Sequence, residues 1–140
     1  MTPLEALQAA LAAEHAAVYV LGALGAQTSE SRQADLYAAL TASYRAHRRN
    51  RDQLTVLVAA RGADPVAAAV AYDLPERMRT ATDLTSAALQ VERRTAATYG
   101  QLVESTTGAE RRWALVALDA AAVRQLGFRG TPETFPGSAP

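Results

Sequence analysis

The sequence contains no cysteine and no lysine. Without thiols there is no disulfide, no thiolate nucleophile, no zinc-thiolate site and no iron-sulfur cluster, and the redox compartment is left open. All 14 basic residues are arginine and face 14 acidic ones, so the formal net charge is zero. Such a chain sets up no global field that draws nucleic acid or an anionic membrane, and any partner must be argued locally. No apolar run approaches the roughly 20 residues that span a bilayer, and Met1-Thr2-Pro3-Leu4-Glu5 carries neither a basic leader nor a lipidation signal. A cytoplasmic protein with no membrane partner is therefore expected. No phosphate-binding glycine loop, nucleophile elbow or zinc-hydrolase motif occurs, and with only His15 and His47 a hydrolytic triad has little support.

What the chain has in abundance is alanine, within an apolar content of 49%. That composition favours closely packed helices over a sheet, so the fold class is all-α. A chain of 140 residues forms one core. Helix 1 opens on a capping box, Thr2 as cap, Pro3 in the first turn and Glu5 three residues on. Its seam runs Leu4, Leu7, Leu11, Glu14, Val18, Leu21, Gly25, with one charge at the centre. His15, about 100° around the helix, is expected at the edge of this seam or in solvent. After a short turn, helix 2 is expected from Ser29 to Arg61, closed by Gly62. Leu40, His47 and Leu54 share its inner face at seven-residue spacing.

So tight a turn makes helices 1 and 2 antiparallel, which brings Glu14 within about one turn of His47. From about 62 to 82 the periodicity breaks, although Asp64-Pro65 is expected to start a short helical piece to Val70. This crossover is long enough to return the chain along the helix, so helix 3 runs parallel to helix 2. Helix 3 is expected from Thr82-Asp83 to about Thr106 and admits two inner faces. One passes through Thr85, Ala88, Glu92, Thr95, Tyr99 and Leu102; the other, through Leu84, Ala88, Val91, Thr98 and Leu102, leaves Glu92 at the rim. Helix 4 opens on a second capping box, Thr107 to Glu110, with a seam of Trp113, Val116, Ala120 and Val123. A second stripe of Leu115, Leu118, Ala122 and Leu126 exceeds what one inner face can bury and is assigned to a homodimer contact. Residues 1–128 form the domain, and 129–140 a Gly/Pro-rich tail pinned by Phe128 and Phe135.

Two hairpins joined by a long crossover make a ferritin-like four-helix bundle, whose metal ligands project inward from all four helices, a Glu from two and a Glu-x-x-His from the others. Here Glu14 and Glu92 supply the single carboxylates. Tyr44-Arg45-Ala46-His47 keeps half of one motif, and Ala121-Ala122-Val123-Arg124 keeps none of the other. The chain resembles an actinobacterial ferritin-like family of unknown function. The resemblance is carried by Leu11-Ala12-Ala13-Glu14-His15-Ala16-Ala17, Ala46-His47-Arg48-Arg49-Asn50-Arg51-Asp52, Arg61-Gly62-Ala63-Asp64-Pro65 and Phe135-Pro136-Gly137. It implies the fold and no reaction. By that analogy Glu14, His47 and Glu92 match ligand positions, while Tyr44, Ala121 and Arg124 depart from them.

Buried carboxylates need compensating cations. The reading adopted is a network without metal or other cofactor, in which Arg51 and Arg124 neutralise Glu14 and Glu92 while Tyr44 and His47 satisfy the remaining acceptors. Its role is structural or that of an interaction module, and enzymatic activity is not expected. The alternative is a metal-binding or redox protein holding Fe, Mn or Zn on Glu14, His47 and Glu92. A third reading, nucleic-acid binding through Arg45, Arg48, Arg49 and Arg51, is weak, because a helix spreads these residues around its circumference and no aromatic platform joins them.

Overall fold

The computed structural model describes residues 1–138. They form four helices, α1 (Pro3–Ala26), α2 (Ala34–Ala60), α3 (Ala81–Ser105) and α4 (Gly108–Gly127), with no strand among the described residues. The all-α class and the helix count agree with the sequence. The Thr2 capping box is present, and Gly62 closes α2 at φ +75°, a conformation that suits glycine. By length and composition α1 could cross a membrane, a property that counting unbroken apolar runs missed. Here its Leu7, Leu11, Leu21 and Leu24 are buried against other helices.

Two apolar clusters define how the helices run. One joins Ala6 to Leu11 of α1, Leu54 and Val58 of α2, Ala96 to Leu102 of α3 and Ala114 to Ala121 of α4. The other joins Ala17 to Leu24, Leu40, Leu84 to Val91 and Phe128. The start of α1 thus meets the ends of α2 and α3, so both run against it. Packing is extensive for α1 on α2, α1 on α3 and α3 on α4, and thin between α2 and α4. Between the clusters, at mid-height, lie the buried polar residues Glu14, Ser43, His47, Glu92 and Thr95.

Several expected boundaries move, each because a side chain takes a backbone group. Helix α2 begins at Ala34, not Ser29: Ser29 Oγ accepts from the Arg32 amide and Gln33 Oε1 from the Ser29 amide, an alternative to helical bonding. The stretch Val66 to Val70 is not helical. Its backbone is held by α1, where Gln8 bonds Asp64 O and the Val66 amide, and His15 Nε2 donates to Val66 O at 3.0 Å. Tyr72 packs on Tyr19 further along, so the crossover returns along α1. Thr80, with Asp83, caps α3 two residues earlier than expected. At α4 the second capping box is absent, because Glu110 forms a bidentate pair with Arg61 at 2.8 and 2.6 Å instead.

The largest correction concerns the rotation of α4. Its inner face is Ala114, Ala117, Leu118, Ala121 and Gln125. Alanines let α4 approach α3 closely, so the larger side chains turn outward. Val116 and Val123, expected in the seam, are 70% and 67% exposed. Leu118, assigned to the dimer stripe, belongs to the core, while Leu115 and Leu126 are exposed and Ala122 is half-buried. In the tail, Phe128 is buried, Phe135 is exposed, and Gly137 lies on α3 against Gly100. Residues 139 and 140 of the expected tail lie outside the described residues.

Candidate functional site

The polar layer is centred on His47, whose ring lies between carboxylates from two other helices. Nδ1 is 2.6 Å from Glu14 Oε2 and Nε2 is 3.2 Å from Glu92 Oε1. Histidine, Glu14 and Glu92 are all fully buried. A carboxylate oxygen only accepts, so each ring nitrogen must donate, and the side chain that fits between two carboxylates is the doubly protonated imidazolium.

Each carboxylate has further donors. Glu14 Oε1 accepts from the Tyr99 hydroxyl and from Asn50 Nδ2 at 3.3 Å. Glu92 Oε1 accepts from the Ser43 hydroxyl and from Arg124 Nε at 2.9 Å. All four helices therefore contribute: Glu14 from α1, Ser43, His47 and Asn50 from α2, Glu92 and Tyr99 from α3, Arg124 from α4. Two carboxylates face two cations, so the buried charge sums to zero, the condition that makes burial of ions tolerable. Tyr99 also stacks edgewise on Trp113, which ties the polar layer to the apolar cluster below it.

The local electrostatics follow from this packing. Burial disfavours a charged His47, but the hydrogen bonds and negative charges of Glu14 and Glu92 outweigh it and push its pKa up to about 9. Burial likewise opposes the Glu92 charge, and His47 and Arg124 overcome it, holding the carboxyl below its ordinary value. Burial and the neighbouring Glu14 charge push the Tyr99 phenol well above its ordinary value, so Tyr99 stays a donor.

Of the six residues expected in the buried network, Glu14, His47, Glu92 and Arg124 meet. Tyr44 and Arg51 do not. Tyr44 turns to the α1–α2 edge beneath the Arg48 guanidinium, 5.7 Å from the ring centroid. Arg51 is 27% exposed and pairs with its neighbour Asp52 at 2.7 Å. The roles given to them fall to Tyr99 and His47, the latter acting as a cation as well as a hydrogen-bonding group. Three participants were missed: Ser43, Asn50 and Tyr99. Ser43 and Asn50 lie four before and three after His47, on its face, and Tyr99 lies seven after Glu92. The arginines of α2 fan out as expected, with Arg45, Arg48 and Arg49 exposed. Among the described residues no group of three His, Asp or Glu side chains is arranged to hold a metal ion. The two His47 nitrogens point to opposite sides, so an ion on either one would meet a single carboxylate.

The model of a domain of unknown function, DUF4439, matches residues 6–140. The chain belongs to the DUF4439 family. The DUF4439 chain is also similar to a conserved hypothetical protein, rv2844, from Mycobacterium tuberculosis. That crystal structure superposes with a TM-score of 0.82 at 30% identity, over 91% of this chain and 87% of the other. No curated protein matches it. The family and the neighbour agree with an actinobacterial family of unknown function.

Two outcomes are expected for the DUF4439 site. Glu14→Gln leaves a buried cation without its partner and should destabilise the fold by about 3–5 kcal/mol in urea unfolding; a change below about 0.5 kcal/mol would contradict the ionic network. The raised His47 pKa predicts stability that is complete below the unfolded value of about 6.5 and is lost as pH rises through about 9. His47→Gln should flatten that alkaline slope, and a slope equal to that of the unaltered protein would assign it to other groups.

Proposed function

We propose that this DUF4439 protein is a ferritin-like four-helix bundle in which a metal-independent ionic layer replaces a di-iron centre, and that it serves as a structural or interaction module. The observation that carries the reading is the seat of His47 between Glu14 and Glu92, with Arg124 on the same Glu92 oxygen that His47 meets. The antiparallel pairs α1–α2 and α3–α4, joined by a crossover along α1, support the ferritin-like arrangement. In that fold each metal position takes several carboxylate and imidazole ligands from facing helices. Here the residues do not fit a dinuclear ion pair: Tyr44 and Arg124 stand at ligand positions, and Arg124 already neutralises Glu92.

The interaction part of the reading rests on the outer face of α4. Leu115, Val116, Val123 and Leu126 are exposed there, in two adjoining rows along the helix. We assign this face to a second copy of the chain, consistent with a homodimer.

Metal-free protein should unfold at the same denaturant concentration with and without Fe(II), Mn(II) or Zn(II), and should bind none of them stoichiometrically under anaerobic titration. One equivalent bound by the wild type and lost in His47→Ala would establish the metal-binding reading instead. Leu115→Glu combined with Leu126→Glu should convert a dimer to a monomer in analytical ultracentrifugation with helicity unchanged. A wild type that is already monomeric, or a variant that remains dimeric, would remove this interface.

A further inference from the structure

Within the ionic layer the Glu92–Arg124 contact is half made. An arginine presents Nε and Nη2 as a parallel fork that matches the two oxygens of a carboxylate. Arg124 uses only the first prong, Nε to Glu92 Oε1 at 2.9 Å. That oxygen also takes the Ser43 hydroxyl and His47 Nε2, so three donors crowd one atom. Glu92 Oε2 and Arg124 Nη2 are both buried and have no hydrogen-bond partner. One is an acceptor and the other a donor, on neighbouring prongs of the same ion pair, and Glu92 as a whole is fully buried.

The large majority of buried polar side-chain atoms in folded proteins are hydrogen-bonded, to protein groups or to ordered water. The group that satisfies this pair must donate to Oε2 and accept from Nη2. It must also be small, because neither residue lines the clefts of 110 to 700 Å³ that indent the surface. We propose that Glu92 Oε2 and Arg124 Nη2 hold a single internal water molecule, which completes the fork that the two side chains leave open. It would be the third partner of the ion pair, after Ser43 and His47. Arg124 is 18% exposed while every other charged member is at most 1% exposed. Arg124 is thus the charged member of the layer whose side chain comes nearest to solvent. The inference rests on the hydrogen-bond geometry at Glu92 and not on the bundle's role as a module.

The test is an atomic-resolution crystal structure of the full chain, purified without chelator. It should contain one water within about 2.7–3.2 Å of both atoms. A direct Nη2–Oε2 bond, an Arg124 side chain turned out to solvent, or a metal ion on Glu92 would each overturn the proposal; only the metal would also overturn the metal-free reading of the layer. In solution, oxygen-17 magnetic relaxation dispersion should count one fewer long-lived water in Arg124→Lys, which keeps the charge but removes the second prong. An equal count in a folded Arg124→Lys would overturn the assignment, and if that variant fails to fold the crystal structure of the unaltered chain decides alone.

Discussion

The pairing of one imidazolium with two carboxylates is the constraint on which the rest of the structure depends. His47 is shut off from bulk solvent, and so are Glu14 and Glu92. Taking such charges out of solvent costs several kcal/mol each, roughly, unless partners replace the lost hydration. The replacement here is geometric: α1, α2 and α3 must stand at one relative height for both ring nitrogens to find an oxygen, and α4 must stand beside α3 for Arg124 to reach Glu92. A slip of one helical turn along any of these helices would leave a buried charge unpaired. The layer therefore sets register, a task for which an apolar core alone is poorly suited because aliphatic side chains repack with little loss.

On either side of that layer the packing is ordinary and uneven. Leucines of α1 fill both apolar clusters, and α4 meets α3 through alanines. This division has a consequence at the surface. Since the inner face of α4 is made from small residues, its larger aliphatic side chains are left facing outward, on the same helix that supplies Arg124. An electrostatic anchor inside and an apolar face outside thus share one element, and any partner covering α4 would act on the helix that closes the ionic layer.

Much of this was legible in the chain, for physical reasons that can be named. Capping chemistry and 3.6-residue periodicity located α1 and the end of α2, since Thr2, Glu5 and Gly62 act within one turn of themselves. Glu14 and His47 were conspicuous because a charge in an apolar seam demands a partner. Two of the failures came from non-local competition. Glu110 was read as a cap, but Arg61, forty-nine residues away, is the stronger partner for its carboxylate. Val66 to Val70 was read as helical, but Gln8 and His15 claim its backbone. The rotation of α4 was misjudged because size was taken as the sign of burial, whereas a close helix contact selects alanine. Arg51 was expected inside, yet an adjacent aspartate at the surface costs no desolvation and holds it there.

The proposed metal-free layer requires that His47 be the cation between Glu14 and Glu92. A neutral imidazole has one bare nitrogen, a metal ligand has one metallated nitrogen, and an imidazolium has a proton on both. Nitrogen-15 NMR of the histidine ring at pH 7, assigned against a His15→Asn variant, distinguishes these states directly. The account predicts two protonated ring nitrogens on His47, with protons slow to exchange because the ring is buried. A single protonated nitrogen, or a signal that shifts when iron, manganese or zinc is added, would contradict it.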